Sequence, residues 1–190
     1  MARTLRRPGW RKIVGLTLFF TVIGYQAVYN WFPNFFPVEA FIGKAKAVDG
    51  DSLELNGRSI RLFGIDAPEF TQSCHHPSDK NWPCGRLSRN ALKELLVNKS
   101  TTCHPVKKDV YRRVLANCFT EDGNIAEAMV RGGWAFAYDR YSEEFADEEE
   151  IAKRAKRGIW QAENVTPPWQ HRKKKTSLWE SLTGLLGIED

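Results

Sequence analysis

Three carboxylates and one arginine crowd a short stretch of this 190-residue chain: Asp51 beside a turn, Arg61 in a strand-like run, and Asp66 and Glu69 in the segment IDAPEF. Hard divalent cations want several oxygen ligands, and carboxylates near strand ends supply them without leaving a charge buried and unpaired. Asp51 and Asp66 can share one such ion. Singly, each reads as a turn or loop residue. The combination with Arg61 and Glu69 is what points to a metal-assisted site. The run YRRVLA adds Arg112 and Arg113, which face opposite sides of a strand; either can be a solvated hairpin charge. Cys74, His75, His76 and Cys84 are metal-ligating types, but their spacing matches no standard zinc pattern.

The elements that must position these groups follow from turn signals and periodicity. FIGKAKAV, Asp49-Gly50, DSLEL, Asn56-Gly57 and RSIRLFGI read as a three-stranded antiparallel meander. RLSRNALKELLVN puts Leu87, Ala91, Leu95 and Leu96 on one side at helical spacing. Two more strands carry Cys103 and Cys118, then Asn124–Arg131 reads as a short helix stopped by Gly132-Gly133, and Ser142–Arg157 as a longer one stopped by Gly158. Five short strands with a helix after the third predict an α+β body over residues 39–164. Its expected form is a five-stranded antiparallel barrel of the OB type with about three helices packed outside. Strict alternation places Arg61 and Asp66 on opposite faces of a strand. Gly64 is therefore expected to break the pleat, and Pro68 to end the strand. Trp134 and Trp160 are assigned to packing.

The flanks carry the charge asymmetry. Residues 1–12 form a basic tail with five cations and no acid, residues 13–38 carry no charge, and residues 39–168 hold 19 basic and 20 acidic side chains. The net charge of +5 therefore says nothing about what the body binds. The stretch 13–32, IVGLTLFFTVIGYQAVYNWF, is long enough as a helix to cross a bilayer core of about 30 Å. The positive-inside bias keeps the N-terminus cytoplasmic and sends the body across, which predicts a single-pass membrane protein with an extracytoplasmic domain, periplasmic or extracellular. Secretion after signal cleavage is the rival reading, although Tyr25 stands where cleavage after Ala27 wants a small residue. In an oxidising compartment the four cysteines pair. The pairing 74–84 and 103–118 is expected, one of three that four cysteines allow. Residues 165–190 read as a Pro and basic linker, with HRKKK at 171–175, followed by an amphipathic helix at 177–190. That helix has two readings, docking on protein or lying on the membrane surface.

The segments VDGDS, RLFGIDAPE, YRRVLA and KRGIW, in this order across roughly residues 40 to 162, resemble the staphylococcal-nuclease-like (thermonuclease) domain. The resemblance implies an OB barrel with three helices, metal-binding acids Asp51 and Asp66, and a main-chain carbonyl ligand at Ala67, where the family commonly has Thr. It implies a catalytic trio of Arg61, Glu69 and Arg113, choosing Arg113 over Arg112. The activity implied is calcium-dependent hydrolysis of DNA and RNA phosphodiesters with little sequence preference, leaving a 3′-phosphate. Such chemistry needs a cation on the phosphate oxygens, guanidinium forks aimed at charge that grows in the transition state, and a base for the water, here Glu69. Tyr111, Tyr138 and Tyr141 either stack on bases or frame the phosphate, or pack at the barrel rim. The loop 74–84 sits where the family has a flexible substrate-side loop. The alternative function is a non-catalytic OB-fold binding or envelope-assembly module; a pure binder, however, has no need of a carboxylate facing a phosphate.

Overall fold

A computed structural model describes residues 39–138, 144–174 and 176. The run FIGKAKAV is divided at Lys44 into β1 (Phe41–Gly43) and β2 (Ala45–Ala47), followed by β3 (Ser52–Leu55) and β4 (Arg58–Leu62). The Asn56-Gly57 turn has φ of 52° and 73°, the doubly left-handed pair that a two-residue hairpin loop requires. With β8 (Thr101–Lys108) and β9 (Val114–Thr120), the strands follow the path β1-β8-β9-β4-β3-β2. Because β1 and β2 are halves of one run at the two ends of that path, the sheet closes on itself, as an OB-type barrel must. The alternating inward residues Leu53, Leu55, Ile60, Leu62, Cys103, Ala116 and Cys118 form its core with the helices.

One pairing departs from the all-antiparallel expectation: β4 runs parallel to β9, with Ile60 opposite Val114 and Leu62 opposite Ala116. Parallel neighbours need a long crossover. The chain supplies it through β5 (Ile65–Asp66), the hairpin of β6 (Cys74–His76) and β7 (Asp79–Trp82), and helix α1 (Cys84–Leu96). Both expected disulfides are present, Cys74–Cys84 closing the β6–β7 hairpin and Cys103–Cys118 joining directly opposed residues of β8 and β9.

The helices differ in detail from the periodicity. In α1 the buried line is Ser88, Leu92 and Leu96, while Leu87, Ala91 and Leu95 are only half-buried beside it. A serine can occupy the core because its Oγ donates to the Trp134 carbonyl at 2.6 Å, which offsets the cost of desolvating the hydroxyl. Helix α2 (Ile125–Arg131) starts at Asn124, whose Oδ1 accepts from the Ala126 and Glu127 amides. Helix α3 (Ala146–Arg154) is shorter than expected and complements its dipole, with Asp147, Glu148 and Glu149 in the first turn and Lys153 and Arg154 in the last. A 3-10 turn (Gly158–Gln161) follows. Residues 168–174, expected as part of a linker, form a further helix, α4, opened by Pro168 at a position where its missing N–H costs nothing. Among the described residues no helix is long and apolar enough to cross a membrane; the segment 13–32, Tyr141 and the terminal segment 177–190 lie outside them.

Candidate active site

The site begins at a tight turn. Asp49 Oδ1 accepts from the Asp51 amide at 3.1 Å, and Gly50 lies so close to α1 that a Cβ there would meet Ser88 Oγ at 2.0 Å and Ala67 Cβ at 2.7 Å. Only glycine lets the turn approach that far. It delivers Asp51 into the interior at 3% exposure, where Oδ1 accepts from Ser52 Oγ at 3.0 Å and Oδ2 from the Ala67 amide at 2.9 Å. Arg61 Nη2 sits 2.7 Å from Asp51 Oδ2 and 2.6 Å from Asp66 Oδ1. The two acids therefore converge on one nitrogen. Gly64, at φ 83°, turns the chain so that Asp66 meets Arg61 despite their spacing. Asp66 is then held in β5 opposite Phe136 of β10 (Phe136–Ala137).

Burial dominates the electrostatics. It holds the Asp51 carboxyl well above its ordinary pKa; Arg61 opposes that shift, and the neighbouring Asp49 and Asp66 charges add to it. For Arg61, burial alone would lower the pKa, but Asp51 and then Asp66 outweigh it and hold the guanidinium above its ordinary value.

Glu69 is fixed through its backbone. Its carbonyl accepts from the Gln72 amide at 2.7 Å, its amide donates to Gln72 Oε1 at 3.2 Å, and the Gln72 carbonyl accepts from the Gly85 amide at 3.1 Å. A Cβ on Gly85 would lie 1.8 Å from the Glu69 carbonyl, so the start of α1, stapled by Cys74–Cys84, presses directly on the Glu69 segment. Arg113 comes from the β8–β9 turn, which Asp109 organises. Asp109 Oδ1 accepts from the Tyr111 and Arg113 amides, and Oδ2 from Arg113 Nε at 2.7 Å. Burial would raise the Asp109 pKa, but the Arg113 side-chain and backbone hydrogen bonds lower it below its ordinary value.

Arg61, Asp66, Glu69, Arg113, Tyr111 and Tyr138 line one cavity of about 470 Å³. Asp51 lies behind it, reached through Arg61. Tyr111 is 77% exposed at the mouth, whereas Tyr138 packs on Trp169 at 5.7 Å between ring centroids. His75 serves structure: its ring lies 3.5 Å from Glu163 and its backbone bridges Asn164.

Besides Asp109, sequence reasoning missed a second charged residue of the cavity, Arg172. Its Nη2 lies 2.7 Å from Asp66 Oδ2, and its Nη1 lies 3.2 Å from Asp66 Oδ1 and 2.7 Å from Glu69 Oε1. Hydrogen bonding to Asp66, and then to Glu69, raises its pKa against the opposing effect of burial. The available signal was Trp169, an apolar residue three positions earlier on the same helical face of an otherwise basic run.

Among the described residues no group of three or more His, Cys, Asp or Glu gathers as a metal cluster. The narrower set of Asp51 and Asp66 fits a hard divalent cation on its chemistry, since ionised carboxylates are acceptor-only oxygens and one oxygen of each lies within 2.7 Å of the same Arg61 nitrogen. The Ala67 backbone is held against Asp51 by its own amide.

Comparison with known proteins gives a consistent picture. The sequence model of the family described as "Staphylococcal nuclease homologue" matches residues 59–162. A succinoglycan biosynthesis protein of Rhizobium meliloti is 32% identical over 128 residues, covering 66% of this chain and 67% of the relative. An uncharacterized endonuclease of Escherichia coli is 33% identical over 137 residues, covering 68% of this chain and 83% of the relative. A probable staphylococcal-like nuclease of Oryza sativa is 35% identical over 116 residues, covering 60% and 28% respectively.

Proposed function

The chain belongs to the staphylococcal nuclease homologue family, and on that premise we propose that it is a calcium-dependent phosphodiesterase acting on DNA and RNA with little sequence preference. The observation that carries this reading is the convergence of two guanidiniums, Arg61 and Arg113, with the carboxylates Asp66 and Glu69 on one cavity. Calcium, when bound by Asp51 and Asp66 with the Ala67 main-chain carbonyl, supplies Lewis-acid polarisation of a phosphate oxygen. The rest is done by the chain. Arg61 is held by its Nη2 contacts to the two acids and lines the cavity. Arg113 is held by Asp109 through Nε, which leaves its two terminal nitrogens out of that contact. Planar guanidiniums bind phosphate oxygens in pairs and stay protonated at any relevant pH, so both can stabilise charge that develops on the phosphate. Glu69 orients the attacking water and accepts its proton, and a 3′-phosphate product is expected. Tyr111, exposed at the mouth, offers a face for a base.

The two disulfides and the uncharged stretch 13–32 after a basic tail support a catalytic domain outside the cytoplasm, held at a membrane by its N-terminal segment. A purely binding OB module has no use for a carboxylate beside two phosphate-type forks, which favours the enzyme reading.

The test is nucleic-acid hydrolysis by the purified full chain with calcium, magnesium or chelator, alongside Glu69→Gln. Turnover of that variant is expected to fall by about 10²–10⁴-fold, the usual worth of a general base, with oligonucleotide affinity nearly unchanged. An unaltered rate removes Glu69 from the base role, and hydrolysis undiminished by chelator removes the metal.

A further inference from the structure

Helix α4 is built into the site rather than laid beside it. Trp169 packs edge-on against Phe136 at 5.5 Å and, tilted, against Tyr138 at 5.7 Å. Just before the helix, the Thr166 carbonyl accepts from Gln72 Nε2 at 2.8 Å. Gln72 is 1% exposed, and its Oε1 holds the Glu69 amide. One buried amide side chain thus ties the base segment to the approach of the helix. From that anchored start, Arg172 spans Asp66 and Glu69 with three contacts of 2.7–3.2 Å. Arg172 also lies beyond the family match, which ends at residue 162.

We infer that Arg172 is a tethered competitor of the divalent cation: α4 is a strap that places a guanidinium across Asp66 and Glu69, and it must lift before either carboxylate can work. The inference rests on the proposed function, since it concerns the same two acids. An ionised carboxylate can only accept, and Asp66 here gives both oxygens to Arg172, one of them shared with Arg61. Arg61 takes one oxygen of each acid, Asp51 Oδ2 and Asp66 Oδ1, whereas Arg172 takes the remaining Asp66 oxygen, Oδ2, as well; a dication at that oxygen and the Arg172 guanidinium repel, so each weakens the binding of the other. Release can begin at the far end of the helix, where the Arg172 side chain is 42% exposed and the following Lys173 and Lys174 are exposed. A polyanion approaching the cavity also attracts all three cations. Nucleic acid would therefore draw the strap off the acids and onto phosphate, coupling substrate arrival to cation binding.

The experiment is calcium titration of the full chain in detergent by calorimetry, with terbium luminescence as a second probe, for the wild type, Arg172→Ala and Trp169→Ala. Removing a charge-assisted but partly exposed contact is expected to tighten calcium binding by about tenfold in Arg172→Ala. Trp169→Ala, which unseats the helix and keeps the guanidinium, is expected to move affinity in the same direction. Adding a non-hydrolysable oligonucleotide is expected to tighten calcium binding in the wild type more than in Arg172→Ala. Equal calcium affinity in wild type and Arg172→Ala, in proteins with the same circular dichroism, overturns the competition while leaving the proposed nuclease site standing. No calcium or terbium binding by any variant overturns the cation assignment and the competition together.

Discussion

Replacing Arg61 with alanine would leave Asp51 and Asp66, at 3% and 1% exposure, without the nitrogen that lies 2.7 and 2.6 Å from them. Breaking a buried ion pair by deleting one partner costs about 3–5 kcal/mol, because the remaining charge has no compensation. Asp66 keeps Arg172, so the loss falls mainly on Asp51, which retains only the Ser52 hydroxyl and the Ala67 amide. The lower figure, about 3 kcal/mol, is therefore the expected cost, equivalent to a Tm drop of about 12 °C for a domain of this size. The sign with pH is set by Asp51. Its folded pKa already lies above the unfolded value through burial, so between the two the folded state binds more protons, and stability is lost as pH rises through the folded pKa. Removing Arg61 takes away the main opposing influence and extends that window upward. The deficit of Arg61→Ala should thus be largest near pH 8 and shrink as pH falls toward the ordinary carboxylate value. Thermal unfolding by circular dichroism in chelator, at several pH values, measures it. A Tm change under about 3 °C at pH 8, or a deficit that ignores pH, refutes the account of Asp51 as a buried charge held by Arg61.

Asp109→Ala deprives Arg113 of its Nε partner. The turn also loses the acceptor of the Tyr111 and Arg113 amides, so stability should fall modestly, by about 1 kcal/mol, while kcat/KM falls by about tenfold or more; unchanged kinetics would detach Arg113 from the reaction. In the wild type the lowered Asp109 pKa means that its contribution is present above the unfolded carboxylate value and is lost as pH falls through the folded one. Protection of the amides of residues 109–113 relative to their intrinsic exchange rates should fall only in that acid range, and protection that persists below it would contradict the assignment. Changing Cys74 and Cys84 together to serine opens a loop of sequence separation 10, worth about 2.7 kcal/mol in the chain-entropy picture. It should also lower turnover, since Gln72 and Gly85 hold Glu69. A loss of stability with full turnover would show that the staple does not position the base.

Much of the site was legible from local chemistry. Asp-Gly and Asn-Gly turns, alternating apolar residues and a glycine at 64 are short-range signals, and they pointed to the meander and to a break in the pleat; the grouping of Arg61 with Asp51 and Asp66 in one site came from the resemblance to the nuclease-like domain. The disulfides followed from the same reading, because Cys103 and Cys118 lie in strands that a single turn must pair. Spacing could not rank Leu92 and Ser88 above Leu87 and Ala91 as the buried face of α1. That choice depends on where the Trp134 carbonyl arrives, and the carbonyl belongs to a segment far along the chain.

Local sequence, then, determined which groups of this protein can carry charge, accept protons and bend the backbone, since those properties depend on residue type and near neighbours. Tertiary structure alone decided that β4 lies parallel to β9, that Gln72 links the Glu69 segment to Thr166, and that Arg172, 106 residues from Asp66, reaches its carboxylate. Contacts of that separation arise from the packing of Trp169 on Phe136 and Tyr138, a three-dimensional fit that no pattern of spacing encodes.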